Sequence, residues 1–340
     1  MMPNPATWPL PYAVVAALLA IAVLWKAADW FVEGAVGLAE ALKVPPMLVG
    51  LVVVSLATTS PELATSVLAA MRDTPEVALG NAVGSVIVDV SVALGLAAMF
   101  ASTPLAAHPG LIRSSGTFLA GVTVLAFLML LDGVLARWEG GLLVLCFFVY
   151  SIHAYFKEVR QLRRGAQPAT ALGAQLEEME SSRPAASPLK IAALFLCGLA
   201  GVLLGSEMLL NGALGIAYHF SVPPVIIGIT VIALGTSAPE IATALASARK
   251  GESALGVGNV VGSDILNICW VAGMSATANP LPVERRVLFA SYPSMMVIVL
   301  VMLFMLRRGY NLNRLNGLVL LTLYVTHLLV LRHFVPIGAG

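Results

Sequence analysis

This chain carries little charge. Asp, Glu, Lys and Arg make up 11% of its 340 residues and leave a net charge of +1. A soluble domain averages about 25% charged residues, so a sizeable water-facing domain is excluded. No basic stripe, RNA motif or phosphate-cradling loop is present, so nucleic acid has no footprint here. Cysteine is sparse too. Cys146, Cys197 and Cys269 all lie in apolar runs, and their spacing suits neither a disulfide framework nor a zinc site. They read as buried packing residues. The zinc-protease pattern H-E-x-x-H is missing, and so is a G-x-G-D aspartyl motif. With no activated nucleophile or metal-bound water in view, an intramembrane enzyme is set aside. The five His residues are scattered outside the motifs described below and receive no role. Residues Met1–Pro11 lack a basic n-region, so no cleaved signal is expected.

What fills the chain is apolar. The hydrophobic share is 59% and the mean hydropathy is +0.92. One membrane span needs about 20 apolar residues, which leaves room for about ten. The expected spans are Tyr12–Leu42, Met47–Met71, Glu76–Ala101, Leu111–Leu131, Trp138–Phe156, Leu189–Tyr218, Val225–Arg249, Ser253–Asn279, Val287–Leu306 and Leu315–Leu331. The fold class is therefore an all-α polytopic membrane protein, with the lipid bilayer as its surroundings and no obligatory protein partner in evidence.

One long polar segment, Lys157–Pro188, interrupts this pattern. It holds Arg160, Arg163, Arg164 and the acids Glu177, Glu178 and Glu180, and reads as a linker with too little apolar surface to pack. It separates a first half, 12–156, from a second, 189–334. With this linker inside, the inner span ends collect Lys43, Arg113, Lys157, Arg160, Arg163, Arg164, Arg183, Lys190, Arg249, Lys250, Arg307, Arg308 and Arg314. The outer ends hold only Arg72, Arg137, Arg285, Arg286 and Arg332. That bias favours a cytoplasmic linker and both termini outside. Five spans is an odd number, so the second half runs through the membrane in the opposite sense, as an inverted-topology repeat.

The repeat is written in the residues. Pro45–Ser85 and Pro223–Ser263 align without a gap, and about a third of their positions are identical. Their ion-binding motifs extend over 45–99 and 223–277. Upstream, the stretch from Asp29 to Ala35 aligns with that from Glu207 to Ala213, so span one pairs with span six. No clear identity joins the last two spans of each half.

Each copy holds a glutamate just after a proline: Glu62 after Pro61, and Glu240 after Pro239. An acid in a span costs roughly 2.5–3.5 kcal/mol on insertion scales and marks function by default. Proline lacks an N–H and collides with the carbonyl four residues back. The oxygens of Ala57 and Thr58, and of Gly235 and Thr236, therefore lose helical partners. In a bilayer, freed carbonyls must face protein, water or an ion. Around them sit the hydroxyls of Thr58, Thr59 and Ser60 in one copy, and of Thr236 and Ser237 in the other. Carbonyl, hydroxyl and carboxylate oxygens are the ligands of hard cations such as Ca²⁺ and Na⁺. Both copies lack His and Cys, which argues against zinc and copper.

The next helix in each copy carries a small-xxx-small pattern, Gly80/Gly84 and Gly258/Gly262, which permits close helix approach. One turn on, Ser85 and Asp89 share a face, as do Ser263 and Asn267. These faces are expected to meet Glu62 and Glu240 at the bundle centre. Asp264, about 100° around the helix from Ser263, could cap a turn, line the ion path or add a weaker ligand. Lys26, Asp29 and Glu33 are spaced for local pairing on one helix. Glu207 lacks such a partner and could border the pathway. A lone kinking proline, a lone glutamate at a span end or a lone GxxxG is more often structural. Their joint repetition, in one order and spacing, favours a shared ion site.

The motifs T-T-S-P-E with G-N-A-V-G-S, and G-T-S-A-P-E with G-N-V-V-G-S, resemble the two alpha repeats of the cation/calcium exchanger superfamily, in particular the prokaryotic sodium/calcium exchangers. The resemblance covers nearly the whole chain. It implies ten helices, a core of spans two, three, seven and eight, and a sliding pair of spans one and six. It further implies Glu62 and Glu240 as central Ca²⁺ ligands, with backbone carbonyls from Thr58 and Thr236. Ser55, Thr59, Ala233, Ser237, Ser85 and Ser263 would help form Na⁺ sites, and Asp89 and Asn267 would occupy the middle. The chain departs from its relatives at that middle pair, where some exchangers have Asn in the first repeat and Asp in the second. The implied activity is antiport of Ca²⁺ against Na⁺ by alternating access, without a cofactor. An H⁺-coupled antiporter of the same fold is the alternative. A simple cation channel also fits the oxygen ligands, but paired broken helices with buried acids suit occlusion better.

Overall fold

The computed structural model describes residues 5–41, 59–72, 74–162, 187–250 and 253–334. Helix α1 spans Leu10–Ala41 and α2 spans Ser60–Ala70. Helix α3 runs over Pro75–Phe100 with a π turn at Asp89–Ala93, α4 over Pro109–Asp132, and α5 over Arg137–Leu162. In the second half, α6 spans Pro188–His219, and α7 is broken into Pro224–Thr236 and Ala238–Lys250. Helix α8 comprises Ser253–Leu266, a π turn at Asn267–Ala272, and Gly273–Ala278. Helix α9 spans Arg285–Gly309 and α10 Arg314–Phe334. Among the described residues, eight helices are long and apolar enough to cross a membrane, and the bent α7 pair makes a ninth. Helix α2 is the described part of the expected second span.

The expected boundaries that fall on described residues hold within a few residues, with one instructive difference at the linker; those at Leu42 and Met47 lie outside the described residues. Helix α5 continues through Leu162, and Pro188 already opens α6. Pro188 fits there because a first-turn N–H has no helical acceptor to lose. Ser187 caps that end by accepting from the Lys190 N–H at 3.3 Å.

Helices α1 and α6 lie antiparallel along their length. A methyl group added at Gly34 would strike the Phe195 backbone, at Gly198 that of Phe31, and at Gly212 that of Ala17. Their seam is lined by small residues, the surface that lets membrane helices approach closely.

The inverted repeat reaches into the spans where sequence identity fades. A Cβ at Gly95 of α3 would stand 3.3 Å from the Gly317 carbonyl of α10. The counterpart contact joins Gly273 of α8 to the Gly140 carbonyl of α5 at 3.0 Å. Two small antiparallel ladders obey the same relation. Strand β1 (Leu105–Ala106), after α3, pairs with β4 (Asn311–Leu312), between α9 and α10. Strand β2 (Val134–Leu135), between α4 and α5, pairs with β3 (Leu281–Pro282), after α8. Each half thus packs its late helices onto the other half's core.

Three sequence expectations are corrected. Cys269 is buried and Cys146 half-buried, but Cys197 is exposed: its position on α6 faces outward, where apolarity is all that the bilayer demands. Glu207 is not unpartnered, because Arg72 at the end of α2 donates to it at 2.8 Å. Glu33 pairs across the α1–α6 seam with Lys190 at 3.4 Å, while Lys26 stays with Asp29 at 3.9 Å. Neither long-range partner is visible from spacing along one helix.

Candidate functional site

Glu62 and Glu240 each lie in the first turn of a helical piece that starts inside the bundle. The proline before each sits at a position where its missing N–H costs nothing. The bonds at the two breaks match: Leu63 N–H donates to the Thr59 carbonyl at 3.0 Å, and Ile241 N–H to the Ser237 carbonyl at 3.0 Å. The break in α7 bends its axis by 46°. A helix start carries a partial positive charge, which favours the glutamates as carboxylates.

Both glutamates are buried, at 1% exposure for Glu62 and 4% for Glu240. Neither carboxylate oxygen of Glu62, nor Oε2 of Glu240, has a hydrogen-bond partner among the described residues. The acids lie within electrostatic reach of one another, Glu62 with Glu240 and Asp89, and Asp89 with Glu240. Thr236 faces Glu62 and Ser237 faces Asp89, so each acid of the first repeat looks at a hydroxyl of the second.

Asp89 and Asn267 begin π turns at matching places in α3 and α8, and two further π turns, Ile112–Gly116 and Gly228–Ile232, lie in α4 and α7. Such turns are frequent at functional sites. The pair meets at the centre, where Asn267 Nδ2 donates to Asp89 Oδ2 at 3.4 Å. Asp89 Oδ1 and Asn267 Oδ1 remain without partners among the described residues, as do the hydroxyls of Ser85, Ser237 and Ser263. Thr59 and Ala233 are buried beside them. Ser55 and Thr58 lie outside the described residues. The structure therefore brings Glu62, Glu240, Asp89, Asn267, Thr59, Thr236, Ser237, Ala233, Ser85 and Ser263 into the buried interior.

Unpaired buried oxygens in this number are costly unless something positive meets them. No three His, Cys, Asp or Glu side chains among the described residues stand at the spacing of a ready-made metal site. The converging donors are instead acids, hydroxyls and amide oxygens from both repeats, a set suited to a hard cation that gathers them on arrival.

Asp264 adds a fourth acid. It is fully buried, both its oxygens lack partners among the described residues, and it lies within reach of the Asp89 charge. Its aligned position in the first repeat is Val86, so nothing balances it there.

Asn81, to which the small-xxx-small pattern assigns no role, is a hub. Its Nδ2 donates to Ser66 Oγ at 2.9 Å and to the Glu62 carbonyl at 3.4 Å, and its Oδ1 accepts from Thr236 Oγ1 at 3.3 Å. It ties α2, α3 and α7 together beneath Glu62. The signal was there, since Gly-Asn recurs at the same place in both copies. Asn81→Leu should lower the melting point in detergent, because stranding buried polar partners costs about 1–3 kcal/mol. An unchanged melting curve would remove Asn81 from this role.

Fold and site together define a membrane cation exchanger. The sodium/calcium exchanger protein family profile matches residues 12–156 and 190–332, and the chain belongs to that family. A putative antiporter, CaxA of Alkalimonas amylolytica, is 33% identical over 92% of this chain and 96% of its own length. The sodium/calcium exchanger MaX1 of Methanosarcina acetivorans is 29% identical over 92% and 97%. The solved sodium-calcium exchanger NCX_Mj, soaked with Na⁺ and Sr²⁺, superposes with a TM-score of 0.62 at 25% identity, covering 94% of this chain and 99% of that one. The protein is thus a multi-pass integral membrane protein and a cation/Ca²⁺ exchanger.

Proposed function

We propose that this protein extrudes Ca²⁺ from the cell by coupling it to inward Na⁺ flow. The observation that carries the reading is the pair Glu62 and Glu240. Both are buried at the starts of two broken helices, one from each repeat, and both carboxylate oxygens of Glu62 and Oε2 of Glu240 lack a hydrogen-bond partner among the described residues. Several carboxylates in a low-dielectric core cannot all stay ionised without cations. One Ca²⁺ or several Na⁺ can neutralise them, and mutual exclusion of these occupants gives obligate exchange. Each occupant must also favour particular conformations, since a ligand that prefers neither shifts nothing.

In this reading Glu62, Glu240 and the Thr58 and Thr236 carbonyls hold Ca²⁺. Ser55, Thr59, Ser85, Ala233, Ser237 and Ser263 serve Na⁺, with Asp89 and Asn267 between. The functional halves are 12–156 and 189–334, joined by a cytoplasmic linker at 157–188, with both termini outside the plasma (inner) membrane. The α1–α6 pair slides over the core to alternate access, and its close small-residue seam lets the two helices move as one unit.

A second reading keeps the fold and drives Ca²⁺ with H⁺. Asp264 favours it, as an extra unpartnered acid that a proton could neutralise. Purified protein in vesicles should take up ⁴⁵Ca²⁺ when an outward Na⁺ gradient is imposed at equal pH. Uptake that ignores Na⁺ and follows an imposed pH gradient instead would hand the mechanism to H⁺.

A further inference from the structure

Arg72 and Glu207 make an ion pair at 2.8 Å between α2 and α6 that the ion site does not use. It ties an element of the core to one helix of the sliding pair. Both side chains are partly withdrawn from water, at 38% and 28% exposure. The repeat gives each of them a counterpart. Arg72 aligns with Lys250, the last residue of α7, and Glu207 aligns with Asp29 on α1. The sign of charge is kept at both positions: a base closes the helical piece that starts at the site glutamate, and an acid sits on the first helix of the other half. Because the repeats are inverted, the second pair belongs to the opposite membrane face.

The two faces differ in this conformation. Helix α6 packs along α2, whereas among the described residues α1 meets the second piece of α7 only at its margin. Asp29 is engaged instead with Lys26 on its own helix, at 3.9 Å, and its side chain is 57% exposed. Lys26 has no basic equivalent in the second half, where Leu204 holds the aligned place. One face is therefore closed by an ion pair, and on the other the matching acid is held loosely by a helical neighbour.

Alternating access moves one bundle against the other about a fixed site. In an inverted repeat, the conformation open to the other side arises when the two halves exchange arrangements. A partly exposed ion pair biases such an equilibrium only about two- to fivefold. Opposed by a like pair on the other face, that bias cancels, and neither conformation becomes a trap.

We propose that Arg72–Glu207 and Lys250–Asp29 are reciprocal latches, one on each face, and that the protein breaks one as it forms the other. On passing to the second conformation, Glu207 leaves Arg72, and Asp29 leaves Lys26 for Lys250. The latches rest on the sliding of α1 and α6 described above, not on the choice between Na⁺ and H⁺.

Cross-linking of the full-length protein with a bis-maleimide tests this, in a background carrying Cys146→Ser, Cys197→Ser and Cys269→Ser. Arg72→Cys with Glu207→Cys should be bridged, and so should Asp29→Cys with Lys250→Cys. Either bridge should cut ⁴⁵Ca²⁺ exchange about tenfold or more, because it holds one conformation. A protein carrying both cysteine pairs should accept one bridge per molecule. Intact mass counts the bridges, since a bridge consumes two thiols with one reagent. Glu207→Gln should speed bridging of Asp29→Cys with Lys250→Cys about two- to fivefold, and Arg72→Glu with Glu207→Arg should restore the parent rate. A merely structural ion pair would leave that remote rate unchanged. Molecules holding both bridges would overturn the proposal. So would an Asp29→Cys, Lys250→Cys protein that bridges with neither Na⁺ nor Ca²⁺ present in turn, or a remote rate indifferent to Glu207→Gln. Bridging needs no ion gradient, so the exchange reading fails separately, on absent ⁴⁵Ca²⁺ uptake by the parent.

Discussion

Vesicles carrying Glu62→Gln or Glu240→Gln are expected to take up ⁴⁵Ca²⁺ no faster than empty vesicles, a loss of about a hundredfold or more, equal to roughly 2.7 kcal/mol. Glutamine keeps the size of glutamate, but it removes the charge and points an NH₂ group where a cation needs an oxygen. The same variants should melt no earlier than the parent. Neither oxygen of Glu62, nor Oε2 of Glu240, has a hydrogen-bond partner among the described residues, so folding loses little, and relieving an uncompensated buried charge favours the folded state. This split distinguishes a ligand from a structural acid. Wild-type uptake in either variant would refute the assignment. A collapsed melting curve would reassign the residue to the fold.

Gly84→Ala is expected to damage stability and transport together. Its Cβ would overlap the Ile229 carbonyl and lie 2.7 Å from the Ala233 Cβ. The carbonyl belongs to the α7 backbone and cannot rotate away as a side-chain tip would. Forcing atoms into a closed seam costs typically 1–3 kcal/mol and occasionally more. Here the displaced element is also the one that bears Thr236 and Ser237. Expression and melting temperature should fall together, and Ca²⁺ uptake per folded molecule should fall with them. Gly121→Ala is the control, because open space surrounds it, and a surface change of that kind stays within about 0.5 kcal/mol. Equal melting points for the two variants would mean that α3 and α7 are not seated as described.

The features that could be read from the residues alone were those that membrane chemistry constrains residue by residue. An acid after a proline inside an apolar run is expensive, so Glu62 and Glu240 stood out, and their repetition pointed to a common interior. The i,i+4 spacing put Asp89 on a face with Ser85 and Asn267 on a face with Ser263, while their place together in the middle was implied by the resemblance. What stayed hidden depends on contacts across the chain. The Arg72–Glu207 and Lys190–Glu33 pairs join different helices, and no local spacing announces them. The π turns at Asp89 and Asn267 have no composition of their own. The last two helices of each half lost their identity because lipid asks only for apolar side chains. Glycines at Gly95 and Gly273, and at Gly140 and Gly317, kept their places because a backbone presses on each.

Those four glycines have one more consequence. Helix α5 seats on α8 and α10 seats on α3, so each half finishes by shielding its sibling. A half synthesised alone would leave a bare cradle and an idle arm in the bilayer. The tether between the halves joins a partnership that the packing itself requires.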